Sequence, residues 1–113
     1  MLSRTNRFHG HGSVRRVYRL GSPARTSLAT LHTLRNDKVK RTKVAVVVSR
    51  KVDKSAVRRN RIRRRVYELV RADLPRITIP TEMVITVYSP DLATMPGDEL
   101  QLLLHELFNR ANL

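Results

Sequence analysis

No cysteine occurs in the chain of 113 residues. Disulfides, thiolate nucleophiles and thiolate-ligated metals are therefore excluded, and the composition suits a reducing compartment. Tryptophan is also absent and aromatics make up only 4%, so a core must rest on Val, Leu and Ile. No apolar run approaches the roughly 18 residues that span a membrane. The N-terminal MLSRTNRFHGHGSVRR is basic but has no apolar stretch of the kind that marks a secretory signal. A soluble cytoplasmic protein without a membrane partner is the expectation.

Acidic residues are scarce in one particular place. Before residue 72 the chain holds 21 of its 23 Lys and Arg but only Asp37, Asp53 and Glu68 among its nine acids, which makes that part +18; the remainder is −4. The total is +14. So lopsided a charge points to a polyanionic partner, with nucleic acid ahead of an anionic membrane surface. Apolar residues at 41% are too many for a disordered tail. The length suits one domain over residues 1–113, with residues 1–11 expected to be flexible.

Ser13 is a candidate cap for a short helix, Val14 to Leu20, with Val14, Val17 and Tyr18 on one face and Gly21 as its stop. SLATLHTL (27–34) suggests a strand, and RNDKVKRTK a loop. VAVVVS (44–49) is a β-branched run expected of a strand covered on both faces, or a central one. Ser55 can cap the next helix, which Leu74-Pro75 should end. MVITVY (83–88) reads as a buried strand. Thr94 is a candidate cap for a last helix carrying Leu100, Leu103, Leu104, Leu107 and Phe108 at helical spacing. The order α-β-β-α-β-α makes an α+β fold, a two-layer α/β sandwich.

The stretch AVRRNRIRRRVYELVR (56–71) holds seven arginines. At about 100° per residue, Ile62, Val66, Leu69 and Val70 share the face that can dock on a sheet. Asn60, Arg64, Tyr67 and Arg71 fall opposite, Arg61 and Arg65 on one flank and Arg63 on the other. Arg58 and Arg59 lie nearer the aliphatic side, in the first turn. A charged helix face is ordinarily just a solvated one. Here the charge has one sign, interrupted only by Glu68, and like charges at i,i+4 weaken a helix. Phosphates would offset that cost, and the planar fork of arginine suits phosphate and base stacking better than lysine does.

Nothing in the sequence assembles a catalyst. The acids are scattered, and no Gly-rich phosphate loop is present. His9 and His11 form an HxH pair without a third ligand nearby, so no metal site is assigned. His32 and His105 read as surface positions on a strand and a helix. No catalytic residue and no protein-bound cofactor are expected.

VSRKVDKSAVRRNRIRRRVYELVR (48–71) resembles the signature of the bacterial ribonuclease P protein component. GSVRRVYRLG (12–21), TEMVITVYSP (81–90) and HELF (105–108) resemble flanking parts of that family in the same order. The resemblance implies a mixed, mostly antiparallel sheet with a left-handed β-α-β crossover. It implies that ribonuclease P RNA and precursor tRNA are the partners, that no protein partner is needed, and that the RNA, with Mg2+, performs the cleavage. Arg59, Asn60, Arg61, Arg63 and Arg64 match the RNA-binding motif, and Arg50 and Lys51 its basic approach. Arg58, Arg65, Tyr67 and Arg71 extend that surface. Val14, Val17, Tyr18 and His32 fall on the cleft for the precursor's 5′ leader. Val14, His32, Tyr67 and Tyr88 stand where the family more often has other residues: aromatic at the first two, basic at the last two. The competing reading is a ribosomal or other structural RNA-binding protein. A helix-turn-helix is disfavoured because no second helix lies a short turn away from the arginine helix.

Overall fold

The computed structural model describes residues 11–36 and 41–113. His9 and the expected flexible stretch lie outside these residues, apart from His11, which opens the first helix. The elements run α1 (His11–Leu20), β1 (Ser22–Arg25), β2 (Ala29–Arg35), β3 (Lys43–Val48), α2 (Ala56–Asp73), β4 (Thr81–Val87) and α3 (Gly97–Arg110). The four strands form one sheet in the order β1-β2-β4-β3. β1–β2 and β2–β4 are antiparallel, and β3–β4 is parallel. Helix α2 is the crossover joining the parallel pair.

The expected order lacks β1. Its sequence, SPAR, has no β-branched or aromatic residue to signal a strand. It forms because it can pair with β2 at the sheet margin, where Pro23 withholds no ladder hydrogen bond that the fold needs. Helix α1 begins at His11, so Ser13 is inside it rather than at its cap. Helix α3 begins at Gly97 after Pro96. Thr94 instead closes a short 3-10 turn, Pro90–Ala93.

The β-branched strand is not central. β3 occupies an edge, and its residues alternate between buried and half-buried. Val44, Val46 and Val48 enter the core, while Ala45 and Val47 are half-covered on the other face. The near-continuous Val run therefore reflects β-propensity, with burial on one face only. The central strand is β4, buried at every position but Thr86.

One face of the sheet carries the main core. Ala24, Ala29, Leu31, Val44, Val46, Met83, Ile85 and Val87 meet Ile62, Val66 and Val70 of α2 and the leucine stripe of α3. Fully burying an aliphatic side chain of this kind contributes about 1.5–3 kcal/mol, enough to hold α2 against its own charge repulsion. Among the described residues the other face is covered in part by α1, which lies on β2 and β4. Val17 and Val84 are completely buried there.

Gly21 sets how closely α1 meets the sheet. Its N–H bonds to the Val17 carbonyl at 2.8 Å. A Cβ at this position would lie 2.5 Å from that oxygen and 2.7 Å from the Thr33 carbonyl oxygen. Both obstacles are backbone, so only glycine fits without moving the helix.

Candidate nucleic-acid interface

Helix α2 starts from a built corner. Ser55 Oγ accepts from Arg58 N–H at 3.3 Å, as a helix cap should. Asp53 Oδ1 accepts from Ser55 N–H at 2.9 Å, and its other oxygen pairs with Arg58 Nε at 2.9 Å. Arg59 donates to the carbonyls of Asp53 and Lys54, each at 2.9 Å. Two arginines of the first turn of α2 thus brace the β3–α2 loop. Asp53 organises that corner; the sequence reading did not single it out, although its place two residues before a Ser cap was a usable signal.

Farther along, the arginines divide by what they touch. Arg65 donates to the Leu92 carbonyl at 2.6 Å and also to the Met95 carbonyl, tying α2 to the segment before α3. Arg63 donates to Asn60 Oδ1 at 2.6 Å. Arg71 pairs with Glu68 at 3.3 Å. Arg61 and Arg64 are exposed and bond to none of the described residues. The outward stripe is therefore Asn60, Arg61, Arg64, Glu68 and Arg71.

Tyr67 is not on that stripe. Its hydroxyl oxygen accepts from the Val46 N–H at 3.1 Å, and its ring packs against the core. The angular reading set it opposite the aliphatic face, but a position about 100° from Val66 can reach the sheet edge when the helix lies over an edge strand. Tyr67 satisfies an outward N–H of β3, where an open edge invites mispairing.

On the other sheet face, Tyr18 and His32 meet edge to face, with ring centroids 5.0 Å apart and planes at 86°. Tyr18 Oη and Thr86 Oγ1 share a 2.7 Å hydrogen bond. Val14 is half-buried on the same helix, but Val17 faces fully inward and fastens α1 to the sheet instead of lining a cleft. Beneath α1, Arg16 pairs with the buried carboxylate of Glu82, which Asn36 Nδ2 also approaches at 3.4 Å. This pair, absent from the sequence reading, fixes how α1 sits. Burial, and then the charge of Arg25, hold the His32 pKa below its usual 6.5, which favours the neutral ring.

Among the described residues a half-covered strip lies beside α1, floored by Thr86 of β4 with Ala45 and Val47 of β3. Strand β3 ends at Val48. Just beyond come exposed Arg50 and Lys51, then the start of α2. The strip thus leads toward the arginine helix at the end of the sheet where β3 and β4 finish together. Among the described residues, no group of three or more His, Asp or Glu side chains could hold a metal ion. His105 Nε2 lies 3.1 Å from Asp73 Oδ2 and joins α3 to the end of α2, away from the strip. No described helix is long and apolar enough to cross a membrane.

A small α+β protein with two arginines that have no acceptor among the described residues, beside a sheet face carrying Tyr18 and His32, has the surface expected of the class of RNA-binding proteins. Comparison makes the class specific. The chain belongs to the ribonuclease P protein family, whose profile matches residues 2–112. It is 37% identical over 99 residues to the ribonuclease P protein component of Chloroflexus aurantiacus strain J-10-fl, covering 78% of this chain and 73% of that one. With the Pseudanabaena sp. PCC 6903 component it shares 31% over 109 residues and 92% of each chain. The Staphylococcus aureus RNase P protein superposes with a TM-score of 0.81 at 20% identity, covering 92% of this chain and 93% of that one. The Thermotoga maritima protein gives 0.73 at 20% identity, covering 86% and 89%.

Proposed function

We propose that this chain binds the catalytic RNA of ribonuclease P through the outward face of α2 and the 5′ leader of precursor tRNA along the strip beside α1. The observation that carries the reading is the division among the arginines. Arg58, Arg59 and Arg65 serve the fold, whereas Arg61 and Arg64 are held on a rigid helix with no acceptor among the described residues. Guanidinium groups placed this way meet phosphate oxygens without first leaving other partners. Arg50 and Lys51 continue the positive charge from α2 to the strip.

The strip suits a single strand. Tyr18 offers a ring fixed by Thr86 and His32, and bases stack on such a surface with little regard to sequence. A leader held there raises precursor affinity over product, because the product has lost the leader. The cleavage itself falls to the RNA. Mg2+ would supply its chemistry there, held by RNA phosphates. The protein's part is to neutralise, position and retain. It would act in the cytoplasm, where tRNA precursors are made.

The test is cleavage of a precursor tRNA at low Mg2+ by the cognate ribonuclease P RNA, with and without the protein. The protein should restore 5′ cleavage, and the Arg61→Ala/Arg64→Ala double variant should weaken that rescue by raising the protein concentration required. RNA binding with no rescue at any protein concentration would instead favour a structural RNA-binding role.

A further inference from the structure

A groove of about 370 Å3 runs between α2 and the start of α3. Its floor is apolar, from Leu69 and Leu100, and Arg61 and Arg64 stand on its rim. Arg65 forms a wall. Its guanidinium donates to the Leu92 and Met95 carbonyls, which holds it in place where it lines the groove. Glu68, paired with Arg71 at 3.3 Å, also lines the groove and disfavours a phosphate at its own position.

We propose that this groove receives one unstacked base of the ribonuclease P RNA, with the phosphates flanking that base on Arg61 and Arg64. The proposal rests on the RNA-binding reading above and adds a built site to it. A nucleotide matches each part. Its ring has apolar faces for Leu69 and Leu100, it stacks on a fixed guanidinium plane, and its phosphates answer two rim arginines that have no acceptor among the described residues. An apolar helix from a protein partner would fill the floor but leave both arginines unanswered.

Gly97 provides the test. It lines the groove, and a Cβ there would meet nothing within 4 Å. A methyl group can therefore be added there without a close contact, and a larger side chain takes up space at the groove itself. Gly97→Ala serves as the control, and Gly97→Phe and Gly97→Leu fill the groove; thermal melting confirms that each folds. Binding to ribonuclease P RNA is measured across a salt series, and the RNA is probed with dimethyl sulfate. Gly97→Ala should bind like the parent. Gly97→Phe should bind about tenfold more weakly, as expected for one lost stack, with an unchanged salt slope because no phosphate contact is lost. An unpaired nucleotide protected by the parent and by Gly97→Ala should become reactive with Gly97→Phe.

Parent-like affinity and protection in both filled variants would overturn the proposal, the more so if they lose a self-association that the parent shows. A reduced salt slope in Gly97→Phe would also overturn it, since the bulky residue would then have displaced the arginine face. Failure of the unaltered chain to bind the RNA would be a different result, the failure of the RNA-binding reading itself.

Discussion

Arg59 and Arg61 are two residues apart and do different work. Arg59 closes the loop before α2 with two hydrogen bonds to carbonyls, and the Arg61 side chain forms no hydrogen bond or ion pair with the described residues. Hydrogen bonds from a charged group contribute about 1.5–3 kcal/mol, and partial exposure puts Arg59 at the lower end of that range. Arg59→Ala should therefore shift the urea midpoint downward. Arg61→Ala should leave the midpoint in place and reduce the salt slope of RNA affinity by about one. The two measurements on both variants check the division. His32 gives a second prediction at this scale. Its pKa is lowered on folding by burial and then by Arg25. The unfolded chain thus binds more protons in the window below about 6.5, its unfolded value, so stability falls as pH drops through that window. Urea midpoints between about pH 8 and pH 5 should fall less for His32→Gln than for the parent, and equal slopes would refute the assignment.

At the scale of elements, α1 is the part most dependent on a single position. Gly21 allows its last turn to approach β2, with two backbone oxygens where a Cβ would go. Gly21→Ala must push the helix outward, at about 1–3 kcal/mol by analogy with overpacking. The ring contact between Tyr18 and His32 should loosen with it. A lower melting temperature together with changed ring-proton shifts at Tyr18 is the expected outcome; a lower melting temperature alone would mean the strain is absorbed elsewhere. Helix α2 depends instead on its aliphatic side. Ile62, Val66 and Val70 are fully buried, which is why a helix so crowded with like charge can stay folded. Tyr67 shows how an element can protect its neighbour, its hydroxyl capping the open edge of β3.

The whole molecule separates its charges. The acidic C-terminal part supplies Glu82 to anchor α1 and the apolar stripe of α3 to build the core, while the basic part adds strands and the aliphatic side of α2 to that core and shows Arg61, Arg64 and Arg71 outward. Binding to a polyanion should therefore be steeply salt-dependent. With roughly six phosphate contacts, affinity for ribonuclease P RNA should fall about a thousandfold between about 50 and 200 mM salt. A titration across that range gives the number of contacts directly, and a nearly flat profile would mean the arginine face is not the interface.

Composition, periodicity and the motif by themselves determined a basic α+β protein, the aliphatic side of α2, its Ser55 cap, Gly21 as the end of α1, and the run of arginines along α2. These follow from local rules: what spacing puts on one face, which residues cap, and which sign of charge is missing. The tertiary structure decided the rest. It made β3 an edge strand, turned Tyr67 inward to that edge, buried Val17, added β1 from a sequence with no strand signal, and assigned Arg58, Arg59 and Arg65 to internal partners. Each outcome depends on which distant backbone atom comes within hydrogen-bond reach. A helical wheel records the angle of a side chain, but not whether a carbonyl waits at the end of it.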